Sequence, residues 1–256
     1  SYEEMLKYYR IDDSNKTLPL TIEDELKYMA SLPLLYQPGK IPADKEKYSN
    51  VGFMFLNYIV ERHLGDYVQA VNRNFFNKVG VSRVQVTGSQ TTDQGDLEVL
   101  YPDRFLRVGR SGLEWPQKIV PSEYGTIKFD NAPGVGGLAM SPADYVRFLS
   151  VLHSGNGTLL KSDTIKLLAS DTRNGIMQHG GLLSGAVSYV MHFERPRTGT
   201  TCGLDPSKPD TFTVAVVFNK VINEDYVGRL REIIDALPNS AWPCPPFDLF
   251  PKLGIQ

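Results

Sequence analysis

Apolar residues recur at helical spacing through most of the first two-thirds of the chain. This periodicity predicts amphipathic helices, each with one face turned toward a core. The helices are expected within residues 1–35, 51–63, 67–77, 141–153 and 163–169. Local signals support their ends. Thr21 followed by three acidic residues predicts a helix start, and Gly65 and Asp66 predict a stop followed by a new cap.

The last third of the chain has a different pattern. β-Branched and aromatic residues dominate Val187–Phe193 and Thr211–Asn219, which predicts two antiparallel strands joined by a connection rich in turn residues. Residues 224–237 return to helical spacing and predict a closing helix. Residues 80–135 alternate turn residues with short apolar pieces, which predicts long loops with some short strands.

Helices first, then strands, then a helix is the order of an α+β protein, not of an alternating α/β protein. We predict a single domain over 1–256. Within it, 1–170 form a mainly helical lobe, and 171–256 form antiparallel strands and a C-terminal helix. The aromatic side chains of the helical lobe, Phe53, Phe55, Phe75 and Phe76, are expected in the core.

Charge and composition exclude several classes of function. The net charge is -2, from 27 basic and 29 acidic residues, so no strong electrostatic footprint for nucleic acid or anionic lipid is expected. The apolar runs Val51–Val60 and Phe212–Phe218 are far shorter than the ~18 residues that span a bilayer. The four histidines lack metal-ligand spacing and no glycine-rich phosphate loop follows a strand, so neither a metal nor another cofactor is predicted.

Two cysteines and two glycosylation patterns bear on the compartment. Cys202 and Cys244 can form one mutual disulfide or remain two free thiols, and the sequence does not choose between them. Asn15-Lys16-Thr17 and Asn156-Gly157-Thr158 match the acceptor pattern for N-glycosylation at Asn15 and Asn156. Together these features favour an extracytoplasmic or secreted protein.

Two short motifs could carry chemistry. Tyr48-Ser49-Asn50 stands at the start of an apolar helix, where the polar tips of Tyr48 and Asn50 can share one wall of a cleft. His179-Gly180-Gly181-Leu182 combines an imidazole with glycines that let a substrate approach backbone N–H groups, as an oxyanion requires. Taken alone, either motif is more often structural than catalytic.

In order along the chain, these motifs resemble those of the serine β-lactamase and penicillin-binding-protein-like family, and most of all its class C-type branch with D,D-peptidase and esterase relatives. The resemblance covers about residues 30–237. The stretches that carry it are Tyr36-Gln37-Pro38-Gly39, Tyr48-Ser49-Asn50-Val51-Gly52-Phe53, Gly136-Gly137-Leu138-Ala139-Met140-Ser141-Pro142-Ala143-Asp144 and His179-Gly180-Gly181. His-x-Gly often replaces Lys-Thr-Gly in the esterase and peptidase members.

The resemblance implies a role for each site residue. Tyr48 would be the general base or proton relay, and Asn50 would hydrogen-bond the substrate amide or the activating lysine. His179 would position the tyrosine proton or the substrate carboxylate. Gly180, Gly181 and Leu182 would bind the substrate, with the Leu182 N–H as one of two oxyanion donors.

The nucleophile motif of the family is not in this sequence. Family members carry Ser-x-x-Lys well upstream of Tyr-x-Asn, and no serine here is followed by lysine three positions later. The resemblance therefore implies a partial β-lactamase/transpeptidase-like fold, a helical lobe plus an antiparallel sheet flanked by helices, without its N-terminal strands and nucleophile helix. We expect an N-terminal fragment or second chain that carries Ser-x-x-Lys, an incomplete sequence, or a rebuilt architecture.

Three functions stay open at this point. The first is part of a serine hydrolase that cleaves an amide or ester of a small acyl compound or peptide through an acyl-serine. The second is an inactive binding protein that keeps the cleft without the nucleophile, and the third is a structural or storage protein. Joint retention of Tyr48, Asn50 and His179 favours the hydrolase, whereas the absent Ser-x-x-Lys favours the binding protein.

Overall fold

The elements follow the α+β order along the chain. A computed structural model describes residues 2–11, 18–40, 48–96, 98–102, 106–154, 157–169, 177–195 and 210–220, with 229, 232, 249–253 and 255. The helices are α1 (Tyr2–Tyr8), α2 (Ile22–Ser31), α3 (Asn50–Leu64), α4 (Tyr67–Val71), α5 (Pro142–His153) and α6 (Ser162–Ala169). The strands are β1 (Gln85–Val86), β2 (Val108–Arg110), β3 (Ile119–Pro121), β4 (Leu138–Ala139), β5 (Met177–Leu183), β6 (Ala186–Arg195) and β7 (Asp210–Phe218).

Side-chain caps fix where the N-terminal helices begin. The Thr21 hydroxyl accepts a hydrogen bond from the Asp24 N–H, and the Asp24 carboxylate accepts one from the Thr21 N–H, which makes a reciprocal capping box at α2. Gly65 ends α3 with a φ of 83°, a conformation that glycine adopts without steric cost. The Asp66 carboxylate then accepts a hydrogen bond from the Gln69 N–H at 2.8 Å.

The chain forms two units, each with its own contacts. The first comprises Ser1–Ala70, Gln85–Glu98 and Phe105–Ala139. Its N-terminal core contains the buried side chains Met5, Leu6, Ile11, Leu20 and Tyr28. Two short antiparallel pairs, β1 with β4 and β2 with β3, lie in the same unit.

The second unit comprises Val71–Val84, Val99–Arg104 and Met140–Gln256, and it holds the larger sheet. β5, β6 and β7 pair antiparallel in that order, with His192 of β6 opposite Met177 on one side and Thr213 on the other. Tyr189, Met191 and Phe193 form a buried cluster on one face of β6. Because side chains alternate along a strand, Val190 and His192 point to the opposite face, where α5 packs on β6 and β7.

Most sequence predictions of local structure are confirmed. The predicted helices at 51–63 and 141–153 are α3 and α5, and the predicted strands are β6 and β7. The segment predicted as a helix over 67–77 is helical throughout, but α4 ends at Val71 and continues as a π turn (Asn72–Phe76) and a 3-10 turn (Asn77–Val79). The predicted helix at 224–237 lies largely outside the described residues. The division into lobes at residue 170 stays a prediction.

Two of the four aromatic side chains predicted for the core are exposed. Phe53 and Phe55 of α3 are 41% and 38% exposed, whereas Phe76 is buried. The periodicity of α3 correctly predicted an apolar face, but it cannot show whether that face is covered within the chain. Within the described residues, no helix is long and apolar enough to cross a membrane, and no group of three or more His, Cys, Asp or Glu could hold a metal ion.

Candidate functional site

The first group of predicted site residues lies at the N-terminus of α3. The Ser49 hydroxyl caps the helix by accepting a hydrogen bond from the Gly52 N–H at 3.1 Å. The cap places Tyr48 just before the helix and Asn50 in its first turn, with both side chains exposed. Tyr48 is 53% exposed and its ring packs against that of Phe53, with the centroids 5.7 Å apart. The structure therefore leaves both side chains exposed at the start of α3, and that they share one wall of a cleft stays a prediction.

A buried asparagine holds α3 in place. Asn57 is 1% exposed, and its side-chain Oδ1 accepts a hydrogen bond from the Gly134 N–H at 2.8 Å. A Cβ at position 134 would lie 2.9 Å from that oxygen and 3.0 Å from the Tyr67 ring, so only glycine fits there. The turn Pro133–Val135 is thus tied to α3 seven residues beyond Asn50. Sequence reasoning missed Asn57, whose only signal is a polar residue within an apolar helix.

The second group of predicted site residues lies on β5. His179, Gly180, Gly181 and Leu182 pair with Val190, Tyr189, Ser188 and Val187 of β6, respectively. β5 is an edge strand in the described sheet, with β6 as its single neighbour. Both His179 and Leu182 are exposed. An edge strand offers backbone N–H and C=O groups to a ligand, which is the property that the oxyanion hypothesis requires.

The two glycines of β5 face different neighbours. A Cβ at Gly181 would lie 2.7 Å from the Ser188 Oγ, so the serine hydroxyl occupies the space that a side chain at 181 would take. A Cβ at Gly180 would lie 3.4 Å from the Tyr189 ring, an ordinary contact. The Tyr189 hydroxyl donates a hydrogen bond to the Gln178 side-chain oxygen at 2.6 Å and so fixes the ring beneath Gly180. Sequence reasoning missed Ser188, although two consecutive glycines in a strand are a signal for a close neighbour.

His179 also borders a cavity of about 170 Å³ within the second unit. α5 contributes Tyr145, Leu149, Leu152 and His153, and the sheet contributes the other side chains, including His192. No Asp, Glu, Lys or Arg is among the described residues that line it. The cavity is therefore an apolar space with three imidazoles around it.

Other parts of the predicted site stay predictions. Tyr48 and Asn50 belong to the first unit and His179–Leu182 to the second, and that both groups line one cleft stays a prediction. Cys202, Cys244, Asn15 and Asn156 lie outside the described residues, so the disulfide and the two glycosylation sites also stay predictions.

Comparison with known proteins shows the class to which this fold belongs. The beta-lactamase family model matches residues 6–237, which is most of the chain. The chain belongs to the beta-lactamase family, and its helices and antiparallel sheet form an α+β fold of the transpeptidase-like type. This membership confirms the resemblance drawn from the Tyr-Ser-Asn and His-Gly-Gly motifs and supports a function of the serine-hydrolase type.

A solved structure shows the same fold at low sequence identity. The octameric penicillin-binding protein homologue from Pyrococcus abyssi is 16% identical, with a TM-score of 0.53. The match covers 91% of this chain and 52% of that one, so the chain spans about half the length of this solved relative. No curated protein matches the chain.

Proposed function

We propose that this chain is part of a serine hydrolase that cleaves an amide or ester through an acyl-serine intermediate. The nucleophilic serine and its lysine would come from polypeptide outside these 256 residues. The substrate would be a small acyl compound or a peptide. Support comes from the family, from exposed Tyr48 and Asn50 at one helix start, and from His-Gly-Gly on an edge strand.

One observation carries the proposal: the exposed apolar face of α3. Leu56 is 57% exposed and Ile59 is 50% exposed, and both lie with Phe55 within an arc of about 100° on the helix. Apolar side chains that cluster in this way mark an interaction surface. This face begins one turn beyond Asn50 and is where a segment carrying Ser-x-x-Lys would pack.

The proposed chemistry assigns one step to each group. The serine Oγ attacks the substrate carbonyl carbon, and its proton passes to Tyr48, which acts together with the lysine as the proton relay. The Leu182 N–H and the N–H of the serine stabilise the oxyanion. The leaving group takes the proton, and water then hydrolyses the acyl-serine. Asn50 and His179 hold the substrate and the proton relay in position.

The experiment that tests this proposal compares variants of the native particle that contains the chain. Tyr48→Phe and His179→Ala should each lower the rate of ester hydrolysis by about 10²–10⁴-fold, because each removes a proton-transfer or positioning group. Tyr8→Phe is the matched control, since Tyr8 is 55% exposed and lies on α1. Equal rates in all three variants, or no hydrolysis by the native particle, would refute the enzyme proposal.

The alternative is a binding protein that keeps the cleft without the nucleophile. The absence of Ser-x-x-Lys from the printed sequence favours it. It predicts saturable binding of a β-lactam or acyl peptide with no covalent product, and intact-mass measurement of the particle distinguishes the two.

A secreted or extracytoplasmic location is part of the proposal and rests on the cysteines and the two sequons alone.

A further inference from the structure

Two histidines meet where the last turn of α5 packs on the sheet. The rings of His153, the last residue of α5, and His192 of β6 are stacked, with centroids 4.3 Å apart and planes 27° from parallel. The His192 Nδ1 lies 2.8 Å from the Thr213 Oγ1 of β7, which fixes its ring. This stack joins α5 to the centre of the sheet.

The stack suits two neutral imidazoles and not a charged pair. The His153 Nδ1 is buried and has no hydrogen-bond partner among the described residues, so an added proton there would have no acceptor. Burial lowers the pKa of His153 to about 4, with a smaller contribution from His192, and burial also lowers the pKa of His192. The carbonyl groups at the C-terminus of α5 favour a cation and so oppose the effect of burial in part.

Among the described residues, no carboxylate lines the cavity to offset that charge. The other titratable side chains lining the cavity are Tyr145 and His179, and neither is an anion at neutral or acidic pH. Asp144 and Arg147 lie about 13 Å and 9 Å back along the α5 axis. Asp144 is within 3.6 Å of Arg83.

The remaining charged groups belong to the elements that pack against α5. Two 3-10 turns pack against α5. Asn77–Val79 contributes Lys78 and Phe250–Leu253 contributes Lys252, and both side chains are cations. The strands also carry Glu194, Arg195 and Asp210, whose side chains lie outside the described part of the structure.

We propose that His153 and His192 form an acid-sensitive clasp. When neutral, the two rings stack and hold the end of α5 on the sheet. When protonated, they separate, and the end of α5 and the adjacent strand β5, which carries His179, lose their packing. This property goes beyond the proposed hydrolase function and does not depend on it.

The sign of the pH dependence follows from the lowered pKa values. A histidine that folding keeps neutral contributes its stability fully above its unfolded pKa of about 6.5. That stability is lost progressively as the pH falls from 6.5 toward the folded pKa of about 4. The clasp should therefore be closed at pH 7.5 and weakened at pH 5.0.

Amide hydrogen exchange at these two pH values, corrected for intrinsic rates, tests the clasp. From pH 7.5 to pH 5.0, protection of Val151–His153 and Met177–Leu183 should fall about tenfold more than protection of α3. His153→Phe and His192→Phe each keep a ring that can stack but cannot protonate, so each should reduce this additional loss, and the double variant should abolish it. His63→Gln is the control, because His63 is exposed near the end of α3 and its replacement should leave the loss unchanged.

Two outcomes would overturn the clasp. One is a wild type whose α5 and β5 keep their protection at pH 5.0. The other is an acid loss that persists undiminished in the double variant His153→Phe with His192→Phe. If the double variant fails to fold, the two single variants make the same test, because each should show a smaller acid loss than wild type, and an undiminished loss in both would overturn the clasp.

Discussion

Replacing Gly181 by alanine tests the geometry of the predicted oxyanion strand. The new Cβ would lie 2.7 Å from the Ser188 Oγ, well short of the 3.4 Å at which ordinary contact begins. Overpacking of this kind costs about 1–3 kcal/mol, and the serine can relieve part of it by turning about χ1. Alanine also loses less chain entropy than glycine on folding, by about 0.5–1 kcal/mol. We therefore expect Gly181→Ala to lower the free energy of unfolding by about 1 kcal/mol.

Three further variants isolate the cause. Gly180→Ala is the matched control, because its Cβ would meet the Tyr189 ring at 3.4 Å, and its unfolding free energy should stay within about 0.5 kcal/mol of wild type. Ser188→Ala removes the hydroxyl that the new methyl group strikes, so the double variant Gly181→Ala with Ser188→Ala should recover most of the loss.

Urea unfolding monitored by circular dichroism measures wild type and the four variants, and the double-mutant cycle at positions 181 and 188 gives the coupling energy. A coupling of about 1 kcal/mol between positions 181 and 188 is expected. Equal effects of Gly180→Ala and Gly181→Ala, or no recovery in the double variant, would show that Ser188 does not occupy the space above Gly181.

Two other variants test contacts that place the site helix and its neighbour. Asn57→Ala should cost about 2–4 kcal/mol in urea unfolding, because it leaves the Gly134 N–H without its acceptor and opens a cavity. The exposed Asn77→Ala should cost less than about 0.5 kcal/mol, and equal losses in the two would contradict the assigned role. Thr21→Ala removes the α2 capping box and should cost about 1 kcal/mol in thermal unfolding, and an unchanged melting temperature would refute it.

Local chemistry made much of this fold predictable from the sequence. A capping hydroxyl, a proline at the first helical position and a glycine with positive φ act over a few residues, so α2, α3 and α5 begin and end close to where they were predicted. β5 was harder to recognise as a strand, because Gly180 and Gly181 dilute its β-forming residues. Its pairing with β6 is a tertiary contact that a sequence window does not contain.

The candidate site was predicted in its parts. Motifs located Tyr48, Asn50 and His179 because their chemistry is encoded in contiguous residues. Neighbours from other segments, such as Asn57 with Gly134 and Ser188 with Gly181, become visible only when chain-distant atoms meet. The exposed face of α3 could not be assigned a partner from the sequence, because an apolar pattern predicts that a partner exists without identifying it.

Covalent labelling tests the central claim most directly. The native particle that contains this chain should be treated with a fluorescent fluorophosphonate, digested, and its labelled peptide sequenced by mass spectrometry. We expect one labelled serine, followed by lysine three positions later, in polypeptide outside the 256 residues. A label on a serine within the printed sequence, or no label on an intact particle, would contradict it.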